Sequence, residues 1–142
     1  MRKILFFIAI VFSAGSMLAQ QITPDARLLQ VWDEETIQHH VNFSPTTIQY
    51  YNYFLDHAYF IEDFPVEKMD VYADIPNLQL KSEFSNESSD FSPEGLKNLN
   101  IMKYDLSLLP DRRVTYRLGN TGKIIVFYSG YEISSEFNKV RK

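Results

Sequence analysis

Cysteine is absent from the 142-residue chain, and no apolar run is long enough to span a membrane, since the run at residues 4–12 is broken at Ser13. The missing thiols exclude a disulfide framework, a cysteine nucleophile, a thiolate metal site and lipid attachment through an N-terminal cysteine. The fold must therefore be held by its hydrophobic core. A chain of roughly 120 residues buries about two-thirds of its unfolded surface, which is enough for one domain.

The first residues have the organisation of a secretory signal peptide. Arg2 and Lys3 precede the apolar run, and small residues follow it. A basic start, an apolar stretch of roughly 7–15 residues and a small-residue exit are typical of such leaders. We predict a signal peptide at residues 1–19, with cleavage after Ala19 or alternatively after Ser16, and a single domain at residues 20–142. The mature protein is then periplasmic or extracellular and has no stable membrane span.

Acidic residues outnumber basic ones, and the two signs are unevenly distributed. Loss of the leader removes Arg2 and Lys3 but no acid, which leaves 12 basic and 18 acidic residues. This balance argues against a phosphate backbone, so we predict no nucleic-acid partner. Residues 62–94 hold nine acids and two lysines, whereas residues 97–142 hold nine bases and four acids. Such segments attract each other within a fold or steer a partner, and we favour the internal attraction.

Gly119, Gly122 and Lys123 stand between two apolar runs and suggest a phosphate-binding loop. A Walker-type loop needs four residues between its glycines, a Ser or Thr after the lysine, and a following helix. All three are missing, because two residues separate the glycines, Ile124 follows the lysine, and a strand-like run comes next. The segment instead predicts a β-hairpin with a three-residue loop at 120–122. In that register Leu118, Tyr116 and Val114 lie opposite Ile124, Val126 and Tyr128, and the register that sets Leu118 against Lys123 is rejected.

Helix-start signals occur twice as a serine followed by a proline. Ser44 and Ser92 are the predicted N-caps, and the helix after Ser44 is predicted to run from Pro45 to about Ile61. Residues 24–41 predict two further helices with a break at Asp33, which caps the second. The predicted hydrophobic staples pair Phe43 with Ile48 and Phe91 with Leu96.

The second half of the chain predicts mostly short strands. Residues 66–76, 78–84 and 100–109 have suitable alternation or composition, and residues 82–95 predict an exposed loop. The run after Lys123 is apolar on both faces, which indicates a central strand with a second neighbour and a helical cover. A closing helix is predicted from Ile133, Phe137 and Val140. The predicted fold class is α+β, with N-terminal helices packed on a small antiparallel β-sheet, a C-terminal hairpin and a short terminal helix.

The helix predicted after Ser44 is apolar around most of its circumference. Such a helix is either buried between layers or keeps one aromatic arc open as a platform for a glycan or peptide. We favour burial and keep the arc as the first candidate ligand site, with the strand face that carries two arginines as the second. The candidate residues are Tyr50, Tyr53, His57 and Phe60 on the arc, and Arg113 and Arg117 on the strand.

Residues for catalysis or metal binding are few. Glu35, His39 and His40 can supply metal ligands, but adjacent histidines point to different sides of a helix and no third ligand has a suitable spacing. We therefore predict no metal and no cofactor. Asp56 and Glu62 are the candidate acids of a hydrolase, although sequence spacing does not establish the separation that a glycosidase needs. No residue is predicted to be catalytic.

Two stretches, YNYFLDHAYFI at residues 51–61 and YRLGNTGKIIVFYSG at residues 116–130, resemble a group of short exported proteins of Bacteroidota-type bacteria that have no assigned activity. The resemblance implies a compact extracytoplasmic domain and supplies no catalytic residue. We predict a small exported, non-catalytic binding or envelope-associated accessory protein whose partner is a protein or glycan of the cell envelope. The alternatives are a periplasmic hydrolase of envelope glycans or peptides and a subunit of an envelope complex.

Overall fold

A computed structural model describes residues 22–72 and 78–141. Within these ranges the chain forms four α-helices and three β-strands, joined by short 3-10 turns. The predicted α+β class is confirmed, whereas the predicted signal peptide lies outside the described residues. The helices are α1 (Glu34–Phe43), α2 (Pro45–His57), α3 (Pro93–Lys97) and α4 (Gly130–Val140), and the strands are β1 (Tyr59–Asp63), β2 (Val114–Arg117) and β3 (Lys123–Phe127).

The sheet is antiparallel, and β3 lies between β1 and β2. The central position predicted for this strand is therefore confirmed. Ile125 and Phe127 face the main core, where they meet residues of α1, α2 and α4. Ile124 and Val126 face the other side of the sheet and pack against Met69 in a smaller cluster. None of the helices in the described ranges combines the length and apolarity needed to cross a bilayer.

The hairpin register differs by one residue from the prediction. Tyr116 lies opposite Ile125, and the Leu118 N–H donates to the Lys123 carbonyl at 3.0 Å. The loop thus has four residues, 119–122, and both of its glycines are left-handed, with φ of 55° and 71°. The prediction was wrong because it chose the register that matches apolar residues across one face. Matching apolar residues identifies the register only when one face of the sheet is exposed to water, and both faces of β3 are covered.

Helix α2 ends at His57, four residues earlier than predicted, and the next aromatic residues form β1. Tyr59 and Ile61 pack against the main core, whereas Phe60 packs against the smaller cluster on the opposite face. The run is apolar under helical and under strand periodicity, so the pattern alone did not distinguish them. Strand β1 pairs with all five residues of β3, and this pairing satisfies the backbone hydrogen bonds of the segment. The segment is therefore a strand and not the end of the helix.

Three predicted strands are also absent from the described residues. Residues 66–72 and 82–84 form 3-10 turns, and the turn predicted at Pro76 and Asn77 lies outside the described residues. Residues 100–109 contain a 3-10 turn and one bridge, between Leu80 and Tyr104. The first predicted helix is reduced to a 3-10 turn at Leu28–Gln30.

The helix caps follow the predictions in part. Asp33 accepts from the Thr36 N–H at 2.8 Å and caps α1, and Ser92 accepts from the Gly95 N–H at 3.1 Å and caps α3. Ser44 makes no capping bond through its side chain. The staple predicted before α2 is wrong as well, because Phe43 ends α1 with 77% of its surface exposed. In α4, Ile133 and Phe137 are buried, whereas Val140 is exposed.

Candidate functional site at the end of the sheet

A cavity of about 510 Å³ opens where the sheet ends against α2 and α4. Its volume falls within the roughly 300–1,000 Å³ of small-molecule sites. Aromatic and charged side chains from five parts of the chain line it: Tyr53, His57, Tyr59, Arg113, Tyr128 and Glu132.

The sheet register brings the central part of this wall together. The Tyr128 N–H donates to the Ala58 carbonyl at 2.9 Å, which continues the pairing of β3 with β1 by one residue. Val114 pairs with Phe127, so the same antiparallel register places Arg113 opposite Tyr128. Residues just beyond the ends of three strands thus form one row at the rim of the cavity.

Helix α4 closes a second side of the cavity. Ser129 is its N-cap: the Ser129 Oγ accepts from the Glu132 N–H at 3.2 Å, and the Ser129 N–H donates to the Glu132 carboxylate at 2.8 Å. This reciprocal capping box fixes the first turn of the helix. One turn later, the Phe137 ring packs on Tyr50 and Tyr53 of α2, with centroids 5.4 and 5.8 Å apart. Glu132 and Glu136 are therefore held at the cavity.

Tyr53 and His57 form a stacked pair one turn apart on α2. Their ring centroids are 4.4 Å apart, and the ring planes differ by 8°. The His57 Nδ1 lies 3.1 Å from the Tyr53 carbonyl oxygen, which can only accept. Nδ1–H is therefore the donor of this bond, and Nε2 is left for solvent or a ligand. Among the ring contacts of the described residues, His57 has no partner other than Tyr53.

Arg113 is held between a carboxylate and an aromatic ring. Its Nη2 donates to Glu132 Oε1 at 2.9 Å and its Nε to the same oxygen at 3.3 Å, while its Cζ lies 4.6 Å from the Tyr128 ring centroid. The Arg113 guanidinium, followed by the Ser129 N–H, lowers the pKa of Glu132 from 4.5 to about 2. At neutral pH Arg113 and Glu132 thus form an ion pair, and the guanidinium also lies against the Tyr128 ring.

The cavity also contains tyrosine hydroxyls. Burial raises the pKa of Tyr59, so its hydroxyl stays protonated at neutral pH. In the part of the chain that the structure describes, the hydroxyls of Tyr53, Tyr59 and Tyr128 have no protein hydrogen-bond partner. Each can donate one hydrogen bond and accept others.

Three of the six predicted site residues line this cavity, and three do not. Tyr53, His57 and Arg113 meet there, which joins the predicted aromatic helix to the predicted arginine strand. Tyr50 instead lines a separate groove of about 280 Å³ with Tyr104 and Leu106.

The other two predicted site residues, Phe60 and Arg117, lie on the face of the sheet that is opposite the main core. Phe60 packs in the smaller cluster with Ile124, Val126 and Met69. Arg117 lies opposite Ile124 on β3, and its Nε is buried with no hydrogen-bond partner among the described residues.

Sequence reasoning missed Tyr59, Tyr128 and Glu132. Tyr59 was assigned to the helix, and the hairpin register placed Tyr128 opposite Val114 and away from Arg113. The position of Glu132 in the first turn of a helix could have been predicted, because Ser129 and Glu132 have the Ser-x-x-Glu spacing of a capping box.

The remaining acids and histidines form no metal centre within residues 22–72 and 78–141, where no three potential ligands come together. Asp56 pairs with Arg27 at 2.5 Å, and Glu62 is exposed on β1. Neither of these two candidate hydrolase acids lines the cavity.

No family model, no curated protein and no solved structure matches the chain.

Proposed function

We propose that the chain is an exported, non-catalytic binding protein of the cell envelope that holds its ligand in the cavity at the end of the sheet. One observation carries this proposal. The two surfaces selected from the sequence, the aromatic helix and the arginine strand, meet at one concave site through Tyr53, His57 and Arg113. Small-ligand sites typically combine such an aromatic lining with a few polar groups.

Export is supported by the leader sequence alone. A basic start, an apolar run and a small-residue exit at residues 1–19 match a secretory signal. Cell fractionation followed by intact-mass measurement tests it: a chain beginning at Gln20 or Met17 in the periplasm or medium is the expected result. A full-length chain in the cytoplasm would refute export.

The hydrolase alternative receives less support from the geometry. Glu132 and Glu136 both line the cavity, but they project from successive turns of one helix. Pairing with Arg113 holds the pKa of Glu132 at about 2. A general acid must keep its proton near the working pH, which this carboxylate does not.

The subunit alternative also has less support, because the aromatic arc is partly covered within the chain. Tyr50 and Tyr53 are half-buried and pack on Phe137 of α4. A permanent interface would instead use an open apolar face.

Binding and hydrolysis are separated by one experiment. The purified chain is incubated with a low-molecular-weight digest of the cell envelope, and the retained compounds are identified by mass spectrometry. We expect an intact compound retained by the wild type and by Tyr131→Ala, whose tyrosine is 71% exposed outside the cavity, but lost in Tyr53→Ala. Accumulation of cleaved products would favour the hydrolase, and equal retention by Tyr53→Ala would refute this site.

A further inference from the structure

The charges around the cavity are already neutralised by the protein. Arg113 directs two of its nitrogens to Glu132, and the other Glu132 oxygen accepts from the Ser129 N–H. Glu136 pairs with Lys139 at 2.5 Å on the same helix. Both pairs are largely exposed and individually weak, but they give Arg113, Glu132 and Glu136 a counter-charge within the protein, so none of the three is a dedicated partner for a charged ligand. The cavity is therefore suited to a neutral ligand.

Within the described residues, the polar groups of the cavity that make no hydrogen bond to protein are of the kind that binds hydroxyl groups. The hydroxyls of Tyr53, Tyr59 and Tyr128 have no protein partner in the described ranges, and each serves as donor and acceptor. Within the described residues Nη1 of Arg113 and Nε2 of His57 also have no hydrogen-bond partner, which adds a donor and a further polar ring atom. A ligand with several hydroxyl groups satisfies such a mixed set, because every hydroxyl also both donates and accepts.

The rings are arranged to contact an apolar ligand face from one side. A flat aromatic ligand binds best between two facing rings, but the stacked rings of Tyr53 and His57 already fill the space between each other at 4.4 Å. One face of Tyr128 is likewise covered by the Arg113 guanidinium. His57 is exposed, and the ring face that it turns away from Tyr53 carries no other ring among the described residues, so it can take the C–H face of a saturated ring.

We infer that the cavity binds a neutral saccharide of one or two rings. This inference rests on the proposed binding function and specifies its ligand. The sugar ring packs its C–H face on the Tyr53–His57 pair, while its hydroxyl groups exchange hydrogen bonds with the phenols of Tyr59 and Tyr128 and with Arg113.

The test is an NMR titration of the chain as the cell produces it, with the tyrosine ring signals assigned. Neutral probes are cellobiose, lactose, mannobiose and diacetylchitobiose, which cover gluco, galacto, manno and N-acetylated sugars. Glucose 6-phosphate, choline and adenosine represent an anion, a cation and a planar base. We expect at least one neutral disaccharide to shift the ring signals of Tyr53, Tyr59 and Tyr128 and to leave those of Tyr131 in place.

Substitutions give the expected magnitudes. Tyr53→Ala removes the stacked ring and should weaken binding about tenfold. Tyr128→Phe keeps the ring but removes one hydroxyl and should weaken binding about two- to twelvefold, which preserves the test if Tyr53→Ala fails to fold. Tyr131→Ala, which replaces an exposed tyrosine of α4 outside the cavity, should leave the affinity unchanged.

The outcomes separate the ligand class from the site. If only glucose 6-phosphate, choline or adenosine shifts the three cavity tyrosines, the saccharide inference is overturned while the binding function stands. If none of the seven probes moves those signals, or if Tyr128→Phe binds as tightly as the wild type, the saccharide inference fails. If disaccharides shift Tyr131 alone, both the inference and the proposed site fail.

Discussion

The Glu132 carboxylate accepts hydrogen bonds from two directions, the Arg113 guanidinium and the Ser129 N–H, and both favour its charged form. Its pKa is lowered from the ordinary 4.5 to about 2 in the folded chain. A group with a lowered folded-state pKa stabilises the fold above its unfolded pKa, and this stabilisation is lost as the pH falls through the folded pKa. We therefore predict that Glu132 contributes a loss of stability between pH 4.5 and pH 2. Glu132→Gln should flatten that part of the curve of unfolding free energy against pH, measured by urea unfolding.

A double substitution identifies the cause of this effect. Arg113→Ala removes the largest contribution to the lowered pKa. In that background, Glu132→Gln should change the pH dependence much less than in the wild type. Equal effects in the two backgrounds would show that Arg113 is not responsible.

Ser44 and Ser129 are both N-cap residues, but only Ser129 uses its side chain. Its Oγ accepts from the Glu132 N–H at 3.2 Å, whereas Ser44 makes no side-chain capping bond. We predict that Ser129→Ala lowers the unfolding free energy by about 0.5–2 kcal/mol. Ser44→Ala, the matched control, should stay within about 0.5 kcal/mol of the wild type. Urea unfolding checks both, and equal losses would contradict the difference in capping.

At the scale of elements, the four-residue loop of the hairpin depends on its second glycine. Gly122 has a φ of 71°, and a Cβ at this position would lie 3.3 Å from Val66 Cγ2. A left-handed backbone costs an L-residue about 1–2 kcal/mol, so Gly122→Ala should lower the unfolding free energy by at least about 1 kcal/mol. Asn120→Ala in the same loop lies at an exposed position without positive φ and should be nearly neutral. Thermal unfolding distinguishes them, and equal melting temperatures would contradict this account of the loop.

Elements marked by local chemistry could be predicted, and elements decided by distant pairing could not. Asp33, Ser92 and Gly122 act through neighbours in the sequence, so their roles as caps and as a left-handed loop residue were predicted, whereas Gly119 was placed opposite Lys123 and belongs to the loop instead. Tyr59 was assigned to the wrong element because its strand exists only through pairing with Phe127, far along the chain.

The same limit applies to the cavity. Tyr53, His57 and Arg113 were selected for their residue types, which are typical of binding sites. Their meeting point depends on the register of β3 against two strands, and an error of one residue concealed the pairing of Arg113 with Tyr128.

At the scale of the molecule, the acidic and basic segments of the chain meet as ion pairs. Glu87 binds Lys103 at 2.8 Å, and Asp63 binds Lys123. Both pairs join residues 62–94 to residues 97–142, as the internal attraction predicts. Exposed pairs of this kind contribute little individually, so the association of the two halves rests mainly on the shared core and sheet.

The exposed loop at residues 85–90 allows this association to be tested. A glutamate-specific protease that cuts after Glu87 separates α1, α2 and β1 from β2, β3 and α4. Strand β1 pairs along the whole of β3, and the fully buried side chains come from both fragments, among them Leu55 and Phe127. Loss of one exposed peptide bond leaves these contacts in place. We predict that the nicked chain elutes as one species on size exclusion under native conditions, like the uncut control, and separates into two fragments only in urea. Separation without urea would show that the two halves do not share a core.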